Sequence, residues 1–245
     1  KLNGKWYDLE LNPETMGYEM TASAKRDFEN SSGDRGSDGG SEGDATRGND
    51  TVDYSAFTDA NGIKLSLNDE GLSNVTVGNS VNNHQLTNIE NVIGSTGTDT
   101  IQGDSANNTL NGTSGTNDTV SYSNSTSSVY VNLGTAITTD ITADSVVDTI
   151  GANSATGSAI GTDSLSNFDD VLGSGNDDTI VGDGANNTLN GAAGNDILIG
   201  GAGADSLVGG AGNSDTVSYA TDSSGIDVSL RNGSGTDGSG ATDTY

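Results

Sequence analysis

Between residues 173 and 218 the chain repeats a glycine-led pattern every nine residues, and this period limits the fold more than any other feature. The units read Gly-Ser-Gly-Asn-Asp-Asp-Thr-Ile-Val (173–181), Gly-Asp-Gly-Ala-Asn-Asn-Thr-Leu-Asn (182–190), Gly-Ala-Ala-Gly-Asn-Asp-Ile-Leu-Ile (191–199) and Gly-Gly-Ala-Gly-Ala-Asp-Ser-Leu-Val (200–208). A fifth, 209–218, has the same form with one extra residue, Ser214. Early glycines let the backbone turn where a Cβ would clash. The acid at place six can aim its carboxylate into that turn. Place eight holds Ile180, Leu189, Leu198, Leu207 and Val217, one aliphatic per unit, pointing inward as in a short strand. Turn, carboxylate, inward aliphatic and turn make half a coil of a parallel solenoid. With two units per coil, Asp178, Asp196 and Asp215 share one edge, and Asn187 and Asp205 the other.

Stacked coils bring such carboxylates to about one strand spacing, roughly 5 Å, where they repel one another. The net charge is −27, and no Lys or Arg lies between Lys64 and Arg231, so the counter-charge must come from a cation. Turn carbonyls and Asp oxygens suit Ca²⁺ better than Mg²⁺, which requires a tight octahedron. The fourth unit fits G-G-x-G-x-D-x-U-x, with U a large aliphatic, at every fixed place. The array thus resembles the RTX (repeats-in-toxin) calcium-binding β-roll. The resemblance implies an all-β, right-handed parallel β-roll or β-solenoid with several Ca²⁺ ions in its nonapeptide turns. Carried over by motif, the metal carboxylates are Asp99, Asp118, Asp178, Asp196, Asp205 and Asp215, and Asp50 joins them by its Gly-Asn-Asp-Thr-Val context. Carbonyls would come from the turn glycines Gly97, Gly175, Gly194, Gly203 and Gly212. Asn108 and Asn187 stand at the Asp place, and Ala106 and Ala185 at the fourth Gly place, so that edge should hold calcium more weakly.

A longer period frames the arrays. Asp50-Thr-Val-Asp-Tyr54 recurs at 118–122 and 215–219, each time followed by an alternating strand: Ile63-Leu65-Leu67, Val129-Val131-Leu133 and Ile226-Val228-Leu230. The stretch 86–95, Leu-Thr-Asn-Ile-Glu-Asn-Val-Ile-Gly-Ser, recurs at 165–174 as Leu-Ser-Asn-Phe-Asp-Asp-Val-Leu-Gly-Ser. Nonamers follow both copies, the first array running from 94 to 121. The second array is longer by two nonamers, one whole coil. The chain therefore reads as a tandem duplication with the start of a third copy. Residues 48–245 are assigned to the solenoid, 23–47 to a polar linker or loop, and 1–22 to a β-hairpin, either a cap or the end of a preceding domain. In that hairpin Tyr7, Leu9 and Leu11 alternate before Pro13, and Met16, Tyr18 and Met20 after it. Segments 70–85 and 135–164 are longer coils or surface loops. Tyr54, Tyr122 and Tyr219 are expected to pack along the solenoid rather than to contact a glycan.

The acidic balance argues against nucleic acid and anionic membranes as partners, and no run is apolar and long enough to span a membrane. There are no cysteines, so metal is the available staple. Gly39-Gly-Ser41-Glu-Gly43 fits G-x-S-x-G but lacks the strand and helix that a nucleophile elbow needs. The single histidine, His84, rules out H-E-x-x-H chemistry within this chain and is read as a surface residue. Places three and five carry no Thr or Asn ladder for ice binding. The chain opens on Lys without a signal peptide, which reads as a processed chain or a piece of a longer one. One aliphatic per nine residues is a thin return for ordering nine residues, so calcium is expected to complete the fold and the metal-free chain to be largely disordered. The resulting expectation is a non-catalytic structural segment of a secreted bacterial cell-surface protein, such as an adhesin, S-layer or fibre, and the RTX resemblance implies type I secretion as its route. Its partners would be calcium and further copies of itself or neighbouring surface proteins and glycans. The alternative is the secretion and folding domain of an exoenzyme whose catalytic domain lies outside this chain.

Overall fold

A computed structural model describes strands 9–12 and 17–20 and residues 50–68, 73–78, 83–86, 89–115, 117–139, 148–229 and 232–245. The expected linker at 23–47 and the G-x-S-x-G stretch lie outside the described residues. Every helix or strand among the described residues is a strand. β1 (Leu9–Asn12) and β2 (Gly17–Met20) pair antiparallel, with Leu11 opposite Tyr18.

The roll begins with β3 (Thr51–Asp53) and β4 (Ile63–Ser66), which lie in opposite sheets. β5 (Ser73–Val77) and β6 (Asn83–Leu86) extend the sheet of β4 as an antiparallel meander. β7 (Asn91–Ile93), β8 (Thr100–Gln102), β9 (Thr109–Asn111), β10 (Thr119–Ser121) and β11 (Tyr130–Asn132) then alternate between the sheets. β12 (Ile137–Thr139) and β13 (Asp148–Ile150) form a small antiparallel sheet of their own. After the hairpin β14 (Ser154–Gly157) and β15 (Gly161–Ser166), alternation resumes with β16 (Asp170–Leu172), β17 (Thr179–Val181) and β18 (Thr188–Asn190). It continues through β19 (Ile197–Ile199), β20 (Ser206–Val208) and β21 (Thr216–Val217). β22 (Asp227–Ser229), β23 (Ser234–Thr236) and β24 (Thr242–Thr244) form a final meander.

Parallel pairing aligns the place-eight aliphatics into two columns. In one sheet Leu65, Ile101, Val120, Val171, Leu189 and Leu207 stack in register. In the other, Val52, Val92, Leu110 and Leu165 form one run, and Val131, Ile180, Leu198 and Val217 a second. The columns meet between the sheets in one apolar core joined by Tyr54, Tyr122 and Phe168, and Ile137, Ile150, Val181 and Ile199 form a second, smaller cluster. Burying one aliphatic of this size is worth about 1.5–3 kcal/mol, and the two columns repeat that gain once per half-coil. The longer second array appears as the extra coil β19–β20.

The segments between the arrays depart from simple coiling. β11 pairs parallel with β17, ahead of it, and the chain then turns back: β14 and β15 fill the gap between β11 and β9. A single strand can return only antiparallel without a long crossover, so two strands are needed before parallel coiling resumes. The final meander does the same, β24 rejoining β20 in parallel. Thus segment 135–164 is a pair of hairpins where it is described, and β5 and β6 belong to the equivalent meander in the first copy.

Candidate metal site

The place-six side chains form hydrogen-bonded ladders along the edges of the roll. Asp178 N donates to Asp196 Oδ1 at 2.8 Å, and Asp196 N to Asp215 Oδ1 at 3.1 Å. On the other edge Asn187 N donates to Asp205 Oδ1 at 2.8 Å and Asp205 N to Asp243 Oδ1 at 3.0 Å. The first array repeats this: Asp99 N reaches Asp118 Oδ1 at 2.8 Å, and Asn108 N reaches Asp163 Oδ1 at 3.0 Å. Each carboxylate therefore spends one oxygen on the coil before it.

The second oxygen divides the turns into three kinds, according to the residue at place two. Where that residue is serine, the turn closes on itself. Ser95 donates its N–H and hydroxyl to Asp99, both at 2.6 Å, and Ser174 does so to Asp178 at 2.6 and 2.8 Å. Where it is aspartate, place six is asparagine. Asn187 Oδ1 accepts from Asp183 N at 2.9 Å, while its Nδ2 donates to Asp169 O at 2.8 Å. Asn108 bonds in the same way to Asp104 N and Glu90 O. Where place two is Thr113, Ala192 or Gly201, the oxygen is left over: Asp118 Oδ2, Asp196 Oδ2 and Asp205 Oδ2 are buried without a hydrogen-bond donor. Asp222 Oδ2, outside the nonamers, shares this state.

Buried polar atoms in a native fold are almost always satisfied, so three orphaned carboxylate oxygens in equivalent turns require a partner. Their surroundings are rich in oxygen. A Cβ built on Gly115 would lie 2.8 Å from Asp118 Oδ2 and would also strike Gly97 O. One on Gly212 would lie 2.8 Å from Asp215 Oδ1 and strike Gly194 O. Only glycine leaves that space, in which a carbonyl of one coil and a carboxylate of the next converge. Among the described residues no three acidic or histidine side chains cluster. The turns at Gly115 and Gly212 thus offer carboxylates backed by carbonyls, a hard donor set suited to Ca²⁺.

Burial governs the electrostatics. Loss of solvent pushes the Asp118 carboxyl up to about 7 and Asp205 up to about 6. Asp99, Asp178 and Asp196 are raised for the same reason, and the neighbouring Asp178 and Asp215 add to the rise at Asp196. A bound dication would reverse this penalty by favouring the ionised form.

The twelve residues singled out from the sequence fall into distinct situations. Asp99, Asp118, Asp178, Asp196 and Asp205 are buried within the ladders. Asp215 is exposed at the end of its ladder, and Asp50 is half-buried, its N–H bound to Glu90 Oε2 at 2.8 Å. Gly194 and Gly203 adopt φ of 127° and 122°, the left-handed region. Gly97 and Gly212 are needed for close approach, since a Cβ on either would strike a backbone carbonyl. Gly175 sits at place three, and a Cβ there would meet nothing within 4 Å. Sequence reasoning missed Gly115, Asp163 and Asp243. Asp163 lies in Gly161-Thr-Asp-Ser-Leu165, the second half of a nonamer without its first, and that fragment was the available signal. It is fully buried, holds the Tyr122 hydroxyl at 3.0 Å on Oδ2, and is pushed up to about 7 by desolvation. Tyr219 and Asp243 repeat the pair at 2.9 Å.

Comparison with known proteins agrees with this geometry. The family model of the RTX calcium-binding nonapeptide repeat matches residues 87–119, 166–198 and 181–214. A search of the curated proteins found no match. Residues 87–119 and 166–214 therefore match the RTX calcium-binding nonapeptide repeat.

Proposed function

We propose that this chain is a non-catalytic structural segment of a secreted bacterial surface protein, of the adhesin, surface-layer or fibre kind, that folds when it meets calcium outside the cell. The observation that carries the reading is the set of three buried, donor-less carboxylate oxygens, on Asp118, Asp196 and Asp205. They lie in a stretch that has no Lys or Arg to neutralise it. Those three carboxylates would be the principal protein ligands, with Asp99, Asp178, Asp215 and Asp50 at the ends of the ladders. Carbonyls of Gly97 and Gly194 adjoin Asp118 and Asp215 and would complete the oxygen set, with Gly203, Gly212 and Gly175 in neighbouring turns. Bound calcium supplies positive charge that lets stacked acids stay ionised, so its binding free energy counts as folding free energy. Extracellular calcium modules bind at about 10⁻⁴–10⁻³ M, which would keep the chain unfolded inside a cell and folded outside.

Small-angle scattering on chelator-treated protein, before and after millimolar calcium, tests the reading. A radius of gyration that falls sharply on adding calcium supports it. A chain already compact in chelator, or still expanded with calcium, refutes it.

A further inference from the structure

The pair that latches an array to its meander is built twice. Tyr122 Oη donates to Asp163 Oδ2 at 3.0 Å, and Tyr219 Oη to Asp243 Oδ2 at 2.9 Å. The meanders correspond strand for strand. Asp163 stands opposite Ala155 in β14–β15, and Asp243 opposite Gly235 in β23–β24. Two residues after these acids come Leu165 and Tyr245. In β5–β6 the same two places hold Val75, opposite residue 84, and Leu86.

These two places change together in the last meander. Val75 with Leu86, and Ala155 with Leu165, are buried apolar pairs. The third pair is Gly235 with Tyr245, and the tyrosine needs the glycine. A Cβ on Gly235 would strike Tyr245 Oη and lie 3.0 Å from Tyr219 Oη. In the space so left, the Tyr245 ring packs against the core and its hydroxyl meets Tyr219 Oη at 2.5 Å. A phenol has one proton to donate, and Tyr219 gives its own to Asp243, so Tyr245 is the donor to Tyr219. Leu165 fills the equivalent place without a hydroxyl, so packing alone does not call for a second phenol beside the latch.

We propose that Tyr219 and Tyr245 form a site of oxidative cross-linking, at which a one-electron oxidant of the haem-peroxidase class, consuming hydrogen peroxide, joins them as dityrosine. Each phenol gives up one electron and its hydroxyl proton, and the protons leave along the hydrogen bonds through Asp243 to solvent. The two radicals join by a bond between ring carbons ortho to the oxygens. The hydrogen on each joined carbon then leaves as a proton while its oxygen takes one up, which restores both phenols. In sum, two electrons and two protons pass to one peroxide, which becomes two waters. The new bond ties the chain just past β21, in one sheet, to the chain just past β24, in the other. It closes a loop as a disulfide does, in a chain that has no cysteine. The inference rests on the calcium-folded reading, because the folded roll is what brings together two tyrosines 26 residues apart.

The test treats the intact chain in calcium, first shown by scattering to be compact, with a haem peroxidase and hydrogen peroxide. The expected product is a monomer lighter by two hydrogen atoms, with dityrosine fluorescence and proteolytic fragments joined through Tyr219 and Tyr245. Tyr245→Leu, which has the precedent of Leu165, should stay compact in calcium and lose this product entirely. Tyr219→Phe, which keeps the ring, should lose it too. An unchanged mass on a compact chain overturns the cross-linking site while leaving the calcium-folded roll intact. So does a product that persists in either variant, or coupling only between chains through Tyr130, whose ring is 48% exposed. Failure to become compact in calcium removes both readings together.

Discussion

At the scale of single residues, burial and charge oppose each other at the buried place-six aspartates Asp99, Asp118, Asp178, Asp196 and Asp205, and calcium and protons are two ways of relieving the conflict. Burial holds Asp118 up to about 7 and Asp205 up to about 6, whereas an unfolded aspartate titrates near about 3.9. The metal-free roll therefore binds more protons than the unfolded chain between those values, and its stability falls as pH rises through the folded pKa values. In chelator, acidification from pH 8 to pH 5 should thus move the chain toward the folded roll, seen as a gain of strand signal by circular dichroism. A loss of signal over that range would contradict the assignment of those carboxylates as buried and unpaired. Position by position, Asp196 and Asn187 should also separate. Asp196 carries an orphaned oxygen, whereas Asn187 is saturated by Asp183 of its own turn and Asp169 of the coil before. Asn187→Ala should cost about 1–3 kcal/mol through lost buried hydrogen bonds while leaving the number of bound ions unchanged. Asp196→Ala should lower the calorimetric calcium stoichiometry and raise the calcium needed for folding further. Equal effects on both quantities would undo the distinction between the turns.

At the scale of elements, the nonapeptide strands were legible because their signal is local. A glycine turn, an acid and one aliphatic recur at a spacing that admits one register, and the aligned columns through Ile180, Leu198 and Val217 follow from it. The three kinds of turn were half legible. The Asn at place six was visible, but its coupling to Asp104 and Asp183 at place two emerges only when the side chains are seen to exchange hydrogen bonds. The meanders were the least legible. Alternation in Val129-Val131-Leu133 announces a strand but not that β11 lies beyond the gap that β14 and β15 later fill. That placement depends on pairing partners distant in sequence, which no local pattern encodes. The fully buried Ala155 at the centre of the hairpin looks like an ordinary loop residue in a stretch rich in Ser, Thr and Gly, and Asp163 opposite it shows only through its nonamer fragment. Tyr122 is 1% exposed with its hydroxyl on Asp163, so its repetition reflects a buried latch between an array and a meander.

At the scale of the whole molecule, the roll behaves as a one-dimensional stack in which each coil touches only its neighbours, and its length should be adjustable in whole coils. Residues 191–208 form one coil, comprising β19 and β20. Their removal would bring β21 onto β17 and β24 onto β18, placing Val217 opposite Ile180 and the Asn187 N–H against Asp243. The first array already uses that second contact, where Asn108 N–H meets Asp163, so the joined surfaces have a precedent within the same chain. The shortened protein should still become compact in calcium. Its longest dimension by scattering should fall by about 5 Å, one strand spacing, and it should bind fewer ions, since Asp196 and Asp205 leave with the coil. It should also require more calcium, because both apolar columns lose a member and the remaining stack contains fewer stabilising interfaces. A variant that stays expanded at every calcium concentration would mean that the coils are not interchangeable and that the longer array is a specific requirement of the fold. Retained compaction with fewer ions would support a roll in which stability, calcium capacity and length scale with the number of coils.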